Sequence, residues 1–448
     1  MNSEHPVVTA FHRAAEQTPA YRRILEEANL SPEKVKDTDD FRRLVPVIDK
    51  QKTFGRFALA ELCRGGKPGR PAAVLTSSGH SGKFAFSLYD AESAETEIRR
   101  TDEALDALFS VKSRKTLMIN CLPMGVKVFT RACTLGETSV RADMVTALVK
   151  NFGPYYDQII LVGDAAFIKH VLELGLSLNP PIDWSDLLVH VIVGEEPLAE
   201  NARKYLQGIL GIDNTDPNTG LIGSSMGVAE LGLNLLFETP PLIFLRRALH
   251  DNEDLRRVVL GPTATTAPML LTYDPDRIFV EVSDDGKLLV STLETDRRIP
   301  LIRYATGDKA ELFRPAGELQ VLVADAVGIP PDVIAATPTI LLSGRGQFAL
   351  AGETEVYPEQ VKEGLYLDPE LAGLITANFR LFSGPQRADL RIQLSPGIAD
   401  RKGLAERFAE AVAKYVHAPL AVTCHAYESF KSGMGLDYER KFAYLKRE

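Results

Sequence analysis

Tryptophan occurs once and cysteine four times in the 448 residues. The cysteines, Cys63, Cys121, Cys133 and Cys424, are widely scattered and form neither a CxxC pair nor a Cys/His cluster. That spacing supports neither a zinc site nor a disulfide framework, and free thiols suit a reducing compartment. Positive charge is also short: 51 Lys and Arg stand against 60 Asp and Glu, for a net charge of -9. With no clustered basic face, the chain lacks what supplies most nucleic-acid affinity, and it is equally unsuited to anionic lipid. Any anion it binds must be held by a local site. No apolar run approaches the roughly 18 residues of a membrane span. The first residues, MNSEHPVVTAFHRAAEQ, show no basic stretch followed by an apolar one, so no secretory signal is expected and the cytoplasm is the expected location. Internal repeats and low-complexity tracts are missing as well.

What is present is ordinary globular composition, 45% hydrophobic and 25% charged, in a chain too long for one core. A large domain plus a smaller one is the natural expectation. The opening reads as helix, turn, helix. AYRRILEEANL puts Tyr21, Ile24, Leu25 and Ala28 on one face, and a helix restarts after Ser31-Pro32. From about residue 72, short apolar strands (PAAVLTS, KTLMINC, QIILVG, LLVHVIVG) alternate with amphipathic helices. This predicts α/β architecture with parallel strands covered on both faces. Near residue 277 the pattern changes. RIFVEV and KLLVSTL flank Asp285-Gly286 as a hairpin, and another strand pair is expected around LIRYATGDKAELF. Past TILLSGRGQ the chain reads as a small α+β unit, so a boundary is placed near Gly344, with domains 1–343 and 344–448.

Four local patterns can carry chemistry. Thr76-Ser77-Ser78-Gly79-His80-Ser81-Gly82-Lys83 follows an apolar strand. Its hydroxyls, glycines and lysine can surround a polyphosphate with O–H and N–H donors and one cation. It is not a Walker A loop, and a Ser/Gly surface turn would look the same. In GSSMGVAELG, Gly223 to Gly232, Glu230 follows a glycine-rich turn where a carboxylate can hold Mg²⁺, or stand as a solvated helix-start residue. The same segment matches GxSxG with Ser225 at its centre, the nucleophile elbow of serine hydrolases. In PLIRYATGD, Asp308 can accept hydrogen bonds from two ribose hydroxyls or simply close a turn. In Ser343-Gly344-Arg345-Gly346, Arg345 can reach a nucleotide from a hinge or lie in a plain linker.

Taken in order, the Ser/Thr/Gly loop, the GxxE turn, the YxTGD strand and the GR hinge resemble the acyl-adenylate-forming superfamily, and within it the phenylacetate-CoA ligase branch. TPAYRRILEEANLSPEKVKDTDDFRRLVPVIDK looks like that branch's N-terminal helical region, and GEEPLAENARKYLQGILGI like its Gly-Ala-Glu-Pro segment. GETEVYPEQVKEGL resembles a later motif, so the likeness runs from about Thr18 to the C-terminus. The resemblance implies a large N-terminal domain of βα-layered sheets with a small β-barrel-like element, followed by a mobile α+β C-terminal domain. It implies activation of a small carboxylic acid by ATP with Mg²⁺, pyrophosphate release, and transfer to coenzyme A.

By position, Thr76, Ser77, Ser78, Gly79, Ser81, Gly82 and Lys83 would grip the β- and γ-phosphates. Gly194 and Glu195 would lie against the adenine, with Ser225 and Met226 along the nucleotide. Glu230 would hold Mg²⁺, and Asp308 would bind the ribose with Arg345 nearby. Lys441 would stabilise charge at the α-phosphate, with Lys431 as the reserve. The chain departs from the pattern at His80 and Ser81, where two threonines are usual. It departs again at Met226, Ala229, Ala305 and the pair Gln347-Phe348. The segment NCLPMGVKVFT would line the acyl pocket. Its Lys127 is either a surface residue or, if turned inward, a sign of a substrate with a second acidic group. A carrier protein or protein cysteine as acceptor, a serine hydrolase, a non-catalytic nucleotide binder and a homodimer stay open.

Overall fold

The computed structural model describes residues 5–77, 83–123, 126–214, 216, 218–431, 437–438 and 441–445. The N-terminal helices Pro6–Gln17, Pro19–Glu27 and Thr38–Leu44 bury Tyr21, Ile24 and Leu25. Ala28, expected on that face, is exposed at the helix end. The restart is also later than expected. Pro32–Lys34 makes only a 3₁₀ turn, and the helix begins at Thr38, where the Asp37 side chain accepts from Asp40 N at 2.8 Å.

Eleven strands of the described residues form one sheet. Thr134–Glu137, Thr116–Asn120, Gln158–Gly163, Val189–Val193 and Ile222–Val228 lie side by side and parallel. Every residue of Thr116–Asn120 and Gln158–Gly163 is buried, as strands covered on both faces require. Beyond Ile222–Val228 the sheet continues antiparallel through Gly232–Phe237, Met269–Thr272, Thr339–Leu342, Tyr304–Phe313, Lys287–Thr292 and Ile278–Val282. The expected hairpin around Asp285-Gly286 is there. The expected strand pair at LIRYATGDKAELF is instead one ten-residue strand between two neighbours. The antiparallel strands extend an open sheet, and no closed barrel forms among the described residues.

After Gly344 come the helices Pro358–Leu365 and Leu404–Val412 and a mixed three-stranded sheet, Ile375–Phe382, Ala388–Leu394 and Leu420–His425. Gly373 and Ser383-Gly384-Pro385 border the first of these strands, and Pro419 precedes the last. This part packs on the helices Ala165–Ser177 and Glu200–Leu210. Phe167 and Leu206 share one apolar cluster with Val361, Phe379 and Phe408. Buried polar ties run across the same surface: Glu363 accepts from Glu200 N at 2.8 Å and Asn201 N at 2.9 Å, capping the helix Glu200–Leu210 from outside.

Candidate active site

The strands Ala73–Thr76 and Phe86–Tyr89 pair antiparallel and present the hydroxyl-rich loop between them. Ser78, Gly79, His80, Ser81 and Gly82 lie outside the described residues. At the neck of the loop, Ser77 N donates to Ala85 O at 3.0 Å and Ser77 Oγ accepts from Ala85 N at 2.9 Å. Thr76 and Lys83 are exposed. Lys50 Nζ also donates to Ser77 Oγ, at 3.1 Å. It is delivered by the N-terminal segment, whose Ile48 bridges the strand Tyr304–Phe313 through Ile48 N to Arg303 O and Ala305 N to Ile48 O.

Glu230 sits in the turn between Ile222–Val228 and Gly232–Phe237, closed by Leu231 N to Val228 O at 2.7 Å. It is 4% exposed, so it is not a solvated helix-start residue. Its Oε1 accepts from the Tyr304 hydroxyl at 2.5 Å and faces Lys50 Nζ at 3.8 Å. Burial, and then the Glu230 charge, push the Tyr304 phenol well above its usual range. As a place for Mg²⁺, this site offers one carboxylate, and no cluster of three or more His, Cys, Asp or Glu occurs among the described residues. That donor set fits an ion that takes one or two carboxylates and completes its shell with phosphate oxygens and water.

Thr306, Gly307 and Asp308 bulge from the strand ladder. Ala305 pairs with Leu289 and Lys309 with Lys287, so four steps on one strand face two on the other. Gly307, at φ +89°, supplies the left-handed residue such a kink needs. The bulge lies inside the strand, not at its end. It aims Asp308 at Arg345, with Arg345 Nε 3.9 Å from Asp308 Oδ1. Burial raises the Asp308 carboxyl, against the hydrogen bond to Thr306 and the positive charges of Arg345 and Lys441. Arg345 stands half-exposed between two glycines at positive φ, Gly344 at +83° and Gly346 at +60°. Behind this turn is a cavity of about 580 Å³ lined in part by Ser343, Gly346, Phe348 and Lys362.

Gly194 and Glu195 follow the strand Val189–Val193. Glu196 N donates to Gly194 O at 2.9 Å across Glu195 at φ +71°, a three-residue turn that a non-glycine residue rarely adopts. Burial raises the Glu195 carboxyl, and the charge of Lys441 opposes this. Lys441 lines a small cavity with Glu195, Glu196 and Asp164. Glu195, Asp308, Arg345 and Lys441 therefore converge, whereas Lys431 is exposed just past the end of the last strand. Sequence reasoning missed Lys50, Tyr304 and Glu196. All three lay within stretches already singled out, Lys50 at the end of LVPVIDK, Tyr304 in PLIRYATGD and Glu196 in GEEPLAENARKYLQGILGI, but no role was read for them.

Ser225 and Met226 lie inside the strand Ile222–Val228, paired with Phe237 and Leu236. Ser225 Oγ donates to Asn234 Oδ1 at 2.9 Å. A nucleophile elbow needs a strand-to-helix turn and a histidine partner. Ser225 instead lies within a strand that turns into another strand, and no histidine bonds it among the described residues, so the hydrolase reading fails. Lys127 is exposed and gives no buried charge to select a diacid.

No family model matches the chain. A phenylacetate-coenzyme A ligase from Thermus thermophilus is 24% identical over 400 residues, covering 85% of this chain and 78% of its own. A 2-hydroxyisobutyryl-CoA ligase in the postadenylation state, in complex with an acyl-AMP, superposes with a TM-score of 0.69 at 13% identity, over 99% of this chain and 88% of its own. The chain has the fold of the adenylate-forming acyl-CoA ligases. The same 2-hydroxyisobutyryl-CoA ligase in its thioesterification state, with 2-HIB-AMP and CoA, gives 0.54 at 13% identity, over 98% of this chain and 88% of its own. Among the described residues, no helix is long and apolar enough to cross a membrane.

Proposed function

We propose that this chain is an AMP-forming ligase that activates a carboxylic acid with ATP and passes the acyl group to coenzyme A. The observation that carries this reading is the convergence of Glu195, Asp308, Arg345 and Lys441 from four separate stretches of chain. A carboxylate, a bulged aspartate, a guanidinium and an ammonium at one place suit a nucleotide: acceptors for the base and ribose, and cations for phosphate. The phenylacetate-CoA ligase likeness supports the same chemistry.

In the first step a carboxylate oxygen of the acid attacks the α-phosphorus. The bond from that phosphorus to the α,β-bridging oxygen breaks, and pyrophosphate leaves. In the second step a thiolate attacks the acyl carbon, AMP leaves, and the thiol proton passes to solvent. Bringing two anions together makes positioning and charge compensation the main tasks. Asp308 would accept from the ribose hydroxyls, and Lys441 would face the charge growing at the α-phosphate. The Thr76–Lys83 loop and Lys50 would hold the outer phosphates. Glu230 would ligate Mg²⁺, which when bound neutralises phosphate charge. In this reading residues 344–448 turn between the steps about Gly344–Gln347. The positive φ of two hinge glycines and the cavity behind them support such a turn.

Exchange of labelled pyrophosphate into ATP, tested with phenylacetate, 2-hydroxyisobutyrate and a broad panel of other acids, decides the matter. Acid-dependent exchange, followed by a thioester on adding coenzyme A, is the expected result. ATP binding with no exchange for any acid would sink the ligase and leave a nucleotide binder. Exchange without thioester formation would point to a carrier protein or protein cysteine as acceptor.

A further inference from the structure

Glu196 belongs to the same turn as Glu195 but faces the other part of the chain. Its Oε2 accepts from Lys362 Nζ at 2.6 Å and from the Tyr444 hydroxyl at 2.8 Å. Both partners lie after Gly344. Lys362 comes from the helix Pro358–Leu365, and Tyr444 from the final stretch, where Leu381 N donates to Tyr444 O at 2.8 Å and Leu445 bridges Leu381. The Lys362 ammonium also lies over the Tyr444 ring, 4.4 Å from its centre. The two charged side chains are 14% and 12% exposed. Burial disfavours the charge on each, but their mutual attraction outweighs it, so Lys362 is raised and Glu196 lowered from their usual ranges.

Tyr444 stands three residues beyond Lys441. Lys441, Phe442 and Tyr444 line one small cavity with Glu195 and Glu196. Fixing Tyr444 on Glu196 therefore fixes where the Lys441 ammonium can reach. Breaking the three-way contact would leave Lys362 with the weaker pulls of Glu359 and Asp164, and Glu196 with that of Lys441, unless both re-enter water, which rotation of the later part would allow.

We propose that Glu196, Lys362 and Tyr444 form a latch that holds the chain in the adenylating arrangement and positions Lys441 over the nucleotide. Lys362 and Tyr444 are positioning residues in this account, since neither need touch the substrate. The inference rests on the ligase reading for its kinetic consequence, but the latch itself is a statement about two parts of one chain.

The test uses Lys362→Met, which keeps length and apolar contact, and the milder Tyr444→Phe, in the full chain. Spin labels at the exposed positions Phe152 and Leu367 report the separation of the two parts with ATP present. Each variant should shift the ratio of the separation seen here to other separations by on the order of tenfold, and the double variant should add little to either single one. With an acid identified by pyrophosphate exchange, both variants should lose on the order of tenfold in that exchange. Thioester formation from pre-made acyl-adenylate and coenzyme A should be unchanged or faster. Distances identical to those of the unaltered chain, or equal loss of both half-reactions, would overturn the latch. Failure of the unaltered chain to exchange pyrophosphate would sink the ligase reading instead, and the label distances would still judge the latch.

Discussion

Lys50 Nζ lies 3.8 Å from Glu230 Oε1, which places a cation from the N-terminal helical segment beside the carboxylate proposed for Mg²⁺. The same ammonium donates to Ser77 at the neck of the hydroxyl-rich loop. It thus stands where the outer phosphates of a bound nucleotide would face the carboxylate. Replacing it by methionine removes a charge-assisted donor, a contact of roughly 1.5–3 kcal/mol. Lys50→Met should weaken ATP binding by about tenfold to a hundredfold. Lys50→Arg, keeping the charge, should recover part of the loss. Calorimetric titration with ATP and Mg²⁺ measures both. Equal affinity in Lys50→Met and the unaltered chain would remove Lys50 from the phosphate site.

Tyr304 tests the same carboxylate from the other side. It is 2% exposed, and its hydroxyl is directed at Glu230. Tyr304→Phe leaves a buried acceptor without that donor, which costs about 1–3 kcal/mol of stability. The urea midpoint should fall with its slope unchanged. A midpoint within error of the unaltered protein would mean that Lys50 or water fully replaces the phenol.

How far these contacts were legible in the sequence differs residue by residue. The apolar strands and amphipathic helices follow from local periodicity, so the α/β layering and the Asp285-Gly286 hairpin could be read directly. YATGD marked Asp308, but not the bulge that aims it, because a bulge is a mismatch of register between Tyr304–Phe313 and Lys287–Thr292. The barrel-like element was implied by the resemblance, and the alternation of the strands themselves does not say whether a sheet closes. Lys50 and Glu196 were invisible for a different reason. Their partners, Glu230 and Lys362, lie 180 and 166 residues away in the chain, and nothing local to a lysine or glutamate announces such a pairing.

Glu363 yields a pH prediction. Burial pushes its carboxyl up to about 7, against the hydrogen bonds from Asn201 N and Glu200 N. A carboxyl raised in the folded state binds more protons folded than unfolded between its ordinary value and about 7. Stability therefore falls as pH rises through that interval and levels off above it. The slope for one such group reaches at most about 1.4 kcal/mol per pH unit. Glu363→Gln cannot titrate, so the difference in urea midpoint between it and the unaltered chain should shift in its favour from about pH 4.5 to 7. A pH-independent difference would show that the backbone donors keep Glu363 ionised throughout.

Lys441 provides the sharpest test of the two-step reading, because its proposed task belongs to one step only. Its charge bears on Glu195 and Asp308, the two carboxylates proposed for the nucleotide. If it stabilises charge at the α-phosphate, Lys441→Ala removes an interaction that grows in the first transition state. Losses of that kind are typically several kcal/mol, or about a hundredfold to a thousandfold in rate. Pyrophosphate exchange should fall by that factor. Transfer from pre-made acyl-adenylate to coenzyme A should remain, since no charge develops at the α-phosphate while a thiolate attacks the acyl carbon. Lys431→Ala is the matched control, a lysine in the same final stretch but exposed and outside the cavity that Lys441 lines. It should leave both steps intact. Selective loss in Lys431→Ala would move the role to that residue. Equal loss of both steps in Lys441→Ala, with the circular dichroism spectrum unchanged, would mean that this lysine acts on the whole structure and not on the α-phosphate.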